Sequence, residues 1–170
     1  MSVVPPTRPG AHPVPNRRLP AALLTGRLAA RTAPRGARTI HDQPRTGSQQ
    51  IPPSKRTLLV TYRRNGRPVA TPVWAAEDHD RFYVRSERAA GKVKRLRRDN
   101  RVLLAPCTVR GRPLGAPFEG HARVLTPDEE HRGERALARH YGLGRELFER
   151  TVDIMRIDMC YLEITPGAWE

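Results

Sequence analysis

The stretch 69-VATPVWAAEDHDRFYVRSERAAGKVKRLRRDN-100 holds two strand-like apolar runs followed by a short, densely basic helix. Residues 69–76 and 82–86 have strand composition, and Asp78-His79-Asp80 between them is a tight-turn cluster. After Ser86 the apolar period lengthens to Ala89, Val93 and Leu96, one helical stripe surrounded by Lys92, Lys94, Arg95, Arg97 and Arg98. A strand feeding a helix whose first turn carries a lysine is a ready anion site. Free backbone N–H groups, the helix dipole and the ammonium all point the same way. A phosphate-bearing cofactor is therefore expected along these strands, with its phosphate at Gly91-Lys92. Lys92 and Lys94 are two residues apart and diverge by about 200° around a helix, so one phosphate cannot take both, and Lys92 is nearer the helix start. The plainer reading of the same run is a solvated basic face.

Upstream, residues 57–62 alternate Leu58, Val60 and Tyr62 against Leu59 and Thr61, as a strand does. Asn65-Gly66 is a hairpin signal. The return strand, 68–76, is apolar enough for burial on both faces. Pro72 inside it removes a ladder donor and so marks an edge or a bulge, where a flat ligand can meet backbone. Downstream, 101–109 reads as a strand interrupted at Pro106, 110–115 as a loop, and 116–125 as a half-exposed antiparallel strand. Thr126-Pro127-Asp128-Glu129 starts a helix as a capping box, with Ala136, Leu137 and Tyr141 inward and a stop at Gly142. A second helix is expected over 146–156, and a last strand over 158–165. Six strands, one inserted basic helix and a helical pair make a mainly β protein, a small barrel with helices at its side.

The chain has 170 residues and a formal charge of +14, unevenly spread. Residues 1–55 hold nine Lys/Arg against one acid, Asp42, whereas 56–170 hold 22 against 16. Ten of the 17 prolines also fall in 1–55, and the apolar content there cannot offset the entropy of ordering, so a disordered tail is expected. A structureless extension, a transit peptide and upstream sequence read as coding stay open for it. The folded remainder, 56–170, is only moderately basic, which argues against nucleic acid as a partner. Removing residues 1–50 is expected to leave cofactor binding intact. Two cysteines, Cys107 and Cys160, form no framework and suit a reducing compartment. No stretch approaches the ~20 apolar residues of a membrane span, so the expectation is a cytoplasmic protein without membrane association.

No protein-borne catalytic group stands out. The six histidines show no metal-ligand spacing, and no GxSxG, Walker A or GxGxxG occurs. Cys107 lies near arginines but reads as a small buried hydrophobe, and His121 as decoration of a sheet face. Catalytic and metal-binding residues are therefore both set at none, and any chemistry falls to a cofactor.

The segments TYRRNGRPVATPVW, RFYVRS, GKVKRLRRDNRV, LLAPC, EGHARVL and YLEITP, in this order from about Thr57 to Pro166, resemble the pyridoxamine 5′-phosphate oxidase-like split-barrel flavoproteins. The likeness is greatest to their coenzyme F420-dependent subclass. It implies a six-stranded antiparallel FMN-binding split barrel that forms a homodimer, with the cofactor at the subunit interface. It implies too that Thr71, Pro72 and Val73 line the tricyclic ring, partly through backbone. Tyr83, Val84, Arg85 and Ser86 would lie beside the ring and ribityl chain, and Lys92, Val93 and Lys94 at the phosphate. Asn100 stands where the family often has proline, which alters a helix end only. The FMN oxidases usually carry more phosphate-binding arginines than Ala90-Gly91-Lys92 supplies, which leans toward the deazaflavin. The implied activity is hydride transfer from coenzyme F420 to a small-molecule substrate, met by loops such as 110–115 and by the partner chain. The alternatives are an FMN-binding oxidase or reductase of the same fold, and a non-catalytic cofactor carrier.

Overall fold

The alternation at 57–62 forms β1 (Arg56–Tyr62), and the Asn-Gly signal returns it as β2 (Pro68–Val73). Only Gly66 of that pair takes a positive φ, 75°, while the Asn65 side-chain oxygen accepts the Arg67 N–H. The computed structural model describes residues 35–44, 56–142 and 157–169. The remaining elements are α1 (Arg35–Arg38), a 3-10 turn (Ile40–Asp42), β3 (Ala75–Asp78), β4 (Arg81–Glu87), α2 (Gly91–Leu96), β5 (Arg101–Cys107), β6 (Phe118–Val124), α3 (Glu130–Tyr141) and β7 (Met159–Pro166). The helix expected over 146–156 lies outside the described residues.

All strands pair antiparallel in one sheet of order β2-β1-β5-β6-β7-β4-β3. The six expected strands become seven because Trp74 divides the run 68–78. Residues up to Val73 pair with β1, and residues from Ala75 pair with β4. This division fixes the shape. β2 and β3 are the two edges of the sheet, yet one residue joins them, so the edges approach to within about 7 Å there. The sheet must curl into a barrel that stays open along this seam. Pro72 sits on the edge strand β2, where its missing donor breaks no inner ladder.

The inner face buries Leu59, Val84, Leu104, Phe118 and Leu162 in one cluster, which Val93 and Leu96 of α2 close from one end. Each such side chain contributes about 1.5–3 kcal/mol on burial. On the outside, Tyr83, Leu125 and Tyr161 pack under Ala136 and Leu137 of α3. Gly133 permits that approach, since a Cβ there would meet Tyr161 Cδ1 at 2.5 Å. Helix α3 starts three residues later than the capping box suggests. Glu129 still reaches back to the Thr126 N–H at 3.2 Å, while the Thr126 hydroxyl donates to the Glu129 carboxylate at 3.0 Å.

The disorder expected for 1–55 does not extend through residues 35–44. Ala37 and Ile40, both essentially inaccessible, lie on the outer face of β1 and β5 with Leu58, Val60, Leu103 and Cys107. Leu58 and Leu59 are both buried because each face of β1 is covered. The rest of 1–55 before Arg35 and from 45 on lies outside the described residues.

Candidate functional site

Helix α2 is only six residues long, so its dipole is weak and its side chains carry the electrostatics. Lys92, with 8 % of its surface accessible, points inward, and Nζ donates to Ser86 Oγ at 3.0 Å. Among the described residues no carboxylate pairs with it. Burial, then the nearby Arg95, push its pKa below the usual lysine value. An ammonium has three protons to donate, and one hydroxyl satisfies only one.

Arg95 lies beside it. Its Nε donates to the Thr61 hydroxyl at 2.7 Å, and a Cβ on Gly91 would stand 3.0 Å from its Nη1. Burial first, then Arg63 and Arg98, lower its pKa. The end of the barrel at α2 thus gathers Lys92, Arg95, Ser86, Thr61 and the side-chain-free surface of Gly91, a set of donors with no acid among them. Phosphate is the chemical group such a set fits. Arg95 and Thr61 escape a reading that pairs Lys92 with Lys94. The signal that finds Arg95 is its i,i+3 spacing from Lys92, which puts both on one helix face.

The positions expected to meet a cofactor divide by face. Thr71, Val73, Val84 and Ser86 lie on the inner side of their strands, and Val93 is wholly within the inner core. Pro72 is on the opposite side of β2 and half-buried. Lys94 is exposed and away from Lys92. Tyr83 and Arg85 alternate to the outer side of β4 and are not brought together with Ser86. The Tyr83 hydroxyl donates to the buried Glu163 at 3.1 Å, which also accepts from Arg81 Nη1 and Arg123 Nε, each at 2.9 Å. Arg85 lies over the Tyr161 ring at 5.9 Å.

Two strands measure the offset between the cationic end and the seam. Thr61, which takes Arg95, is about 14 Å along β1 from Thr57, the partner of Val73. Ser86, which takes Lys92, is about 7 Å along β4 from Val84, the partner of Ala75. A ligand with a phosphate at one end and a flat apolar ring at the other fits that offset.

Charge pairing is uneven on the described surface. Arg81, Arg88, Arg101, Arg123, Arg132 and Arg139 all pair with carboxylates. Arg63, Arg64 and Arg67 of the β1–β2 turn, with Lys94, Arg97 and Arg98 beside α2, pair with none among the described residues. Arg98 ties the two groups together through the Tyr62 carbonyl at 2.8 Å.

Other chemistry is not assembled. Burial pushes the Cys107 thiol up to about 11, far from a reactive thiolate. His121 lies half-buried on the outer sheet face, 3.4 Å from the Ala168 carbonyl. Among the described residues no group of three or more His, Cys, Asp and Glu could hold a metal ion. No helix there is long and apolar enough to cross a membrane.

The profile described as pyridoxamine 5′-phosphate oxidase matches residues 48–169, most of the chain and all of the sheet. The chain belongs to this family. Solved structures agree on the fold. A conserved hypothetical protein from Mycobacterium tuberculosis is 24 % identical, with 68 % of this chain and 74 % of that one covered and a TM-score of 0.51. A putative 5-nitroimidazole antibiotic resistance protein from Bacteroides thetaiotaomicron is 15 % identical over the same shares, with a TM-score of 0.51. HutZ, the heme storage protein from Vibrio cholerae, is 16 % identical, covers 68 % of this chain and 83 % of its own, and has a TM-score of 0.50. No curated protein matches the sequence. At these identities the likeness shows architecture alone, and ligand and activity have to be argued from the residues of this chain.

Proposed function

We propose that the chain is a cytoplasmic oxidoreductase that binds coenzyme F420, with FMN as the alternative cofactor, and reduces a small molecule. The phosphate lies at Lys92 and Arg95, and the tricyclic ring along Thr71, Pro72 and Val73 near the seam. The observation that carries this reading is the buried Lys92 ammonium, which among the described residues has one hydroxyl partner and no carboxylate in an ion pair with it. A cation in that position is costly until an anion joins it.

Bound there, the cofactor supplies hydride transfer. The chain's own part is binding, orientation and exclusion of water. Lys92 and Arg95 neutralise the phosphate, and Ser86 and Thr61, which accept from those two cations, hold them in place. The edge strand β2 offers backbone along one side only, since β1 occupies the other.

Arg95 weakens one argument for the deazaflavin. The phosphate end is no longer thin once that guanidinium is folded over Gly91. Support for coenzyme F420 comes instead from the cations beyond it that pair with no carboxylate among the described residues. A deazaflavin carries carboxylates outside its phosphate, and Arg63, Lys94 and Arg98 offer charge to match, whereas FMN ends at the phosphate.

The reading includes a homodimer with the cofactor at the subunit interface, the second copy completing the groove along the open seam. Nucleic acid fits less well. Tyr62 and Trp169, aromatics near the basic end, meet edge to face at 5.6 Å with Arg101 over both rings, in place of presenting faces to bases.

A turnover assay tests the activity. Full-length protein mixed with reduced coenzyme F420, or with reduced FMN, and a panel of activated alkenes, quinones and nitroaromatics should restore the oxidised cofactor's absorbance only with enzyme present. Tight binding with no turnover on any of them would make the protein a cofactor carrier.

A further inference from the structure

The described surface exposes just two large apolar side chains, Val109 at 63 % and Leu114 at 55 %. Both stand on the loop between β5 and β6, residues 108–117. The same loop carries Arg110 and Arg112, both exposed, and neither makes an ion pair or a side-chain hydrogen bond among the described residues. Arg81, Arg88, Arg101, Arg123, Arg132 and Arg139, by contrast, each have a carboxylate. Here two arginines stand with two apolar groups and no acid.

The loop is built to hold this display in place. The Thr108 N–H donates to the Arg112 carbonyl at 2.9 Å, the Gly111 N–H to the Thr108 carbonyl at 2.8 Å, and the Arg112 N–H to the Thr108 hydroxyl at 3.1 Å. Gly111, at φ 82°, closes the turn. The Leu114 N–H donates to the Pro106 carbonyl at 2.8 Å. Exposing two apolar side chains on a rigid turn costs free energy in water unless something covers them.

Register says where the loop stands. Val73 pairs with Thr57, Thr57 with Pro106, and Pro106 holds Leu114. Leu114 is therefore about 14 Å from Val73, three strand spacings across the same rim of the barrel. Thr61 and Arg95 are at the opposite rim. The order along the molecule is phosphate end, then ring position at Val73, then this loop beyond it.

We infer that residues 109–114 form the substrate-recognition loop, and that the substrate is an amphipathic organic anion: an apolar body against Val109 and Leu114, and a carboxylate or sulfonate at Arg110 and Arg112. The inference rests on the cofactor placement proposed above. Charge complementarity selects this occupant. A neutral hydrophobe leaves the guanidiniums unused, and an inorganic anion leaves the apolar pair in water.

The probes are 1-anilinonaphthalene-8-sulfonate, an aromatic sulfonate that brightens in apolar surroundings, and N-phenyl-1-naphthylamine, its uncharged relative. Full-length wild type should bind the sulfonate, and the double variant R110Q/R112Q should bind it about tenfold or more weakly, the scale of charge-assisted contacts. The uncharged probe should change little in that variant. Leu114→Ser should weaken both probes. Coenzyme F420 titrations of the same proteins should be unchanged, because none of these side chains belongs to the phosphate end.

Sulfonate binding that R110Q/R112Q leaves intact overturns the assignment. So does a Leu114→Ser variant that binds both probes normally but loses self-association on a sizing column, since the loop would then be a contact between copies. Loop-dependent probe binding by a protein that takes neither coenzyme F420 nor FMN would overturn the cofactor placement instead, and with it the naming of the occupant as substrate.

Discussion

At Lys92 folding and the proposed phosphate binding pull in opposite directions, because burying an ammonium with a single hydroxyl partner among the described residues costs stability that an apolar side chain of similar length would not. Lys92→Met should therefore weaken cofactor binding by about 1.5–3 kcal/mol while leaving the melting temperature equal or higher. A titration beside a thermal melt reads both, and a lysine that only supports the fold would lower the melt. pH dependence follows from the same burial. The folded pKa lies below the ordinary lysine value of 10.5, so between the two the unfolded chain holds a proton that the folded chain lacks. Stability of the cofactor-free protein attributable to this group rises with pH through that window, and cofactor affinity falls through it as the ammonium is lost. Denaturation midpoints and binding constants taken along an alkaline series should diverge in this way, and Lys92→Met should flatten both trends. Lys92 is legible in the sequence because Gly91-Lys92 follows a strand and opens a helix. Arg95 is harder to read, since five cations crowd one short segment and only the rotation of the helix in place separates the inward pair from outward Lys94.

Among the elements, the segment 35–44 departs most from its sequence. Nothing in PRGARTIHDQP repeats at a strand or helix period, and its two apolar anchors, Ala37 and Ile40, are too few to outweigh the prolines around them in a composition argument. They find burial only because β1 and β5 present an outer apolar face. Ile40→Ala should cost about 2–5 kcal/mol in urea denaturation, the range for a fully buried aliphatic residue, whereas deletion of residues 1–34 should cost little. A deletion through residue 50 is then a test of stability as much as of the tail. The start of α3 supplies a second prediction. Arg123 first, then Thr126, hold the Glu129 carboxyl down at about 2, against an ordinary glutamate value of 4.5. A carboxyl depressed on folding stabilises above its unfolded pKa, and that contribution disappears as pH falls from 4.5 through about 2. Glu129→Gln should flatten the acid side of the stability profile between about pH 5 and pH 2, measured as urea midpoints. The strands themselves are legible from alternation, and the capping box marks α3 to within three residues.

For the whole molecule, a single residue sets the architecture. Trp74 joins the two edges of a seven-stranded sheet, so the sheet must curl and must remain open where they meet. Its ring is held between the Arg56 guanidinium, 4.8 Å away, and Tyr141 at the end of α3, 5.2 Å away. The near-continuous apolar run from Pro68 to Ala76 hides this turn, because no glycine or polar cluster marks it and each residue suits a strand. Which arginines find carboxylates is equally hidden, since pairing depends on which strands become neighbours. The cations gathered around α2 give the proposed site its direction, with phosphate at the cationic rim, ring at the seam and substrate loop beyond. The most direct test is an equilibrium fluorescence titration of the full-length protein with coenzyme F420 and with FMN, side by side at low and high salt. Micromolar or tighter binding of coenzyme F420, weakened by salt more than FMN binding is, is the predicted result. A flat coenzyme F420 titration by a sample that binds FMN would contradict the choice of cofactor, and flat titrations with both would contradict the anion site at Lys92 itself.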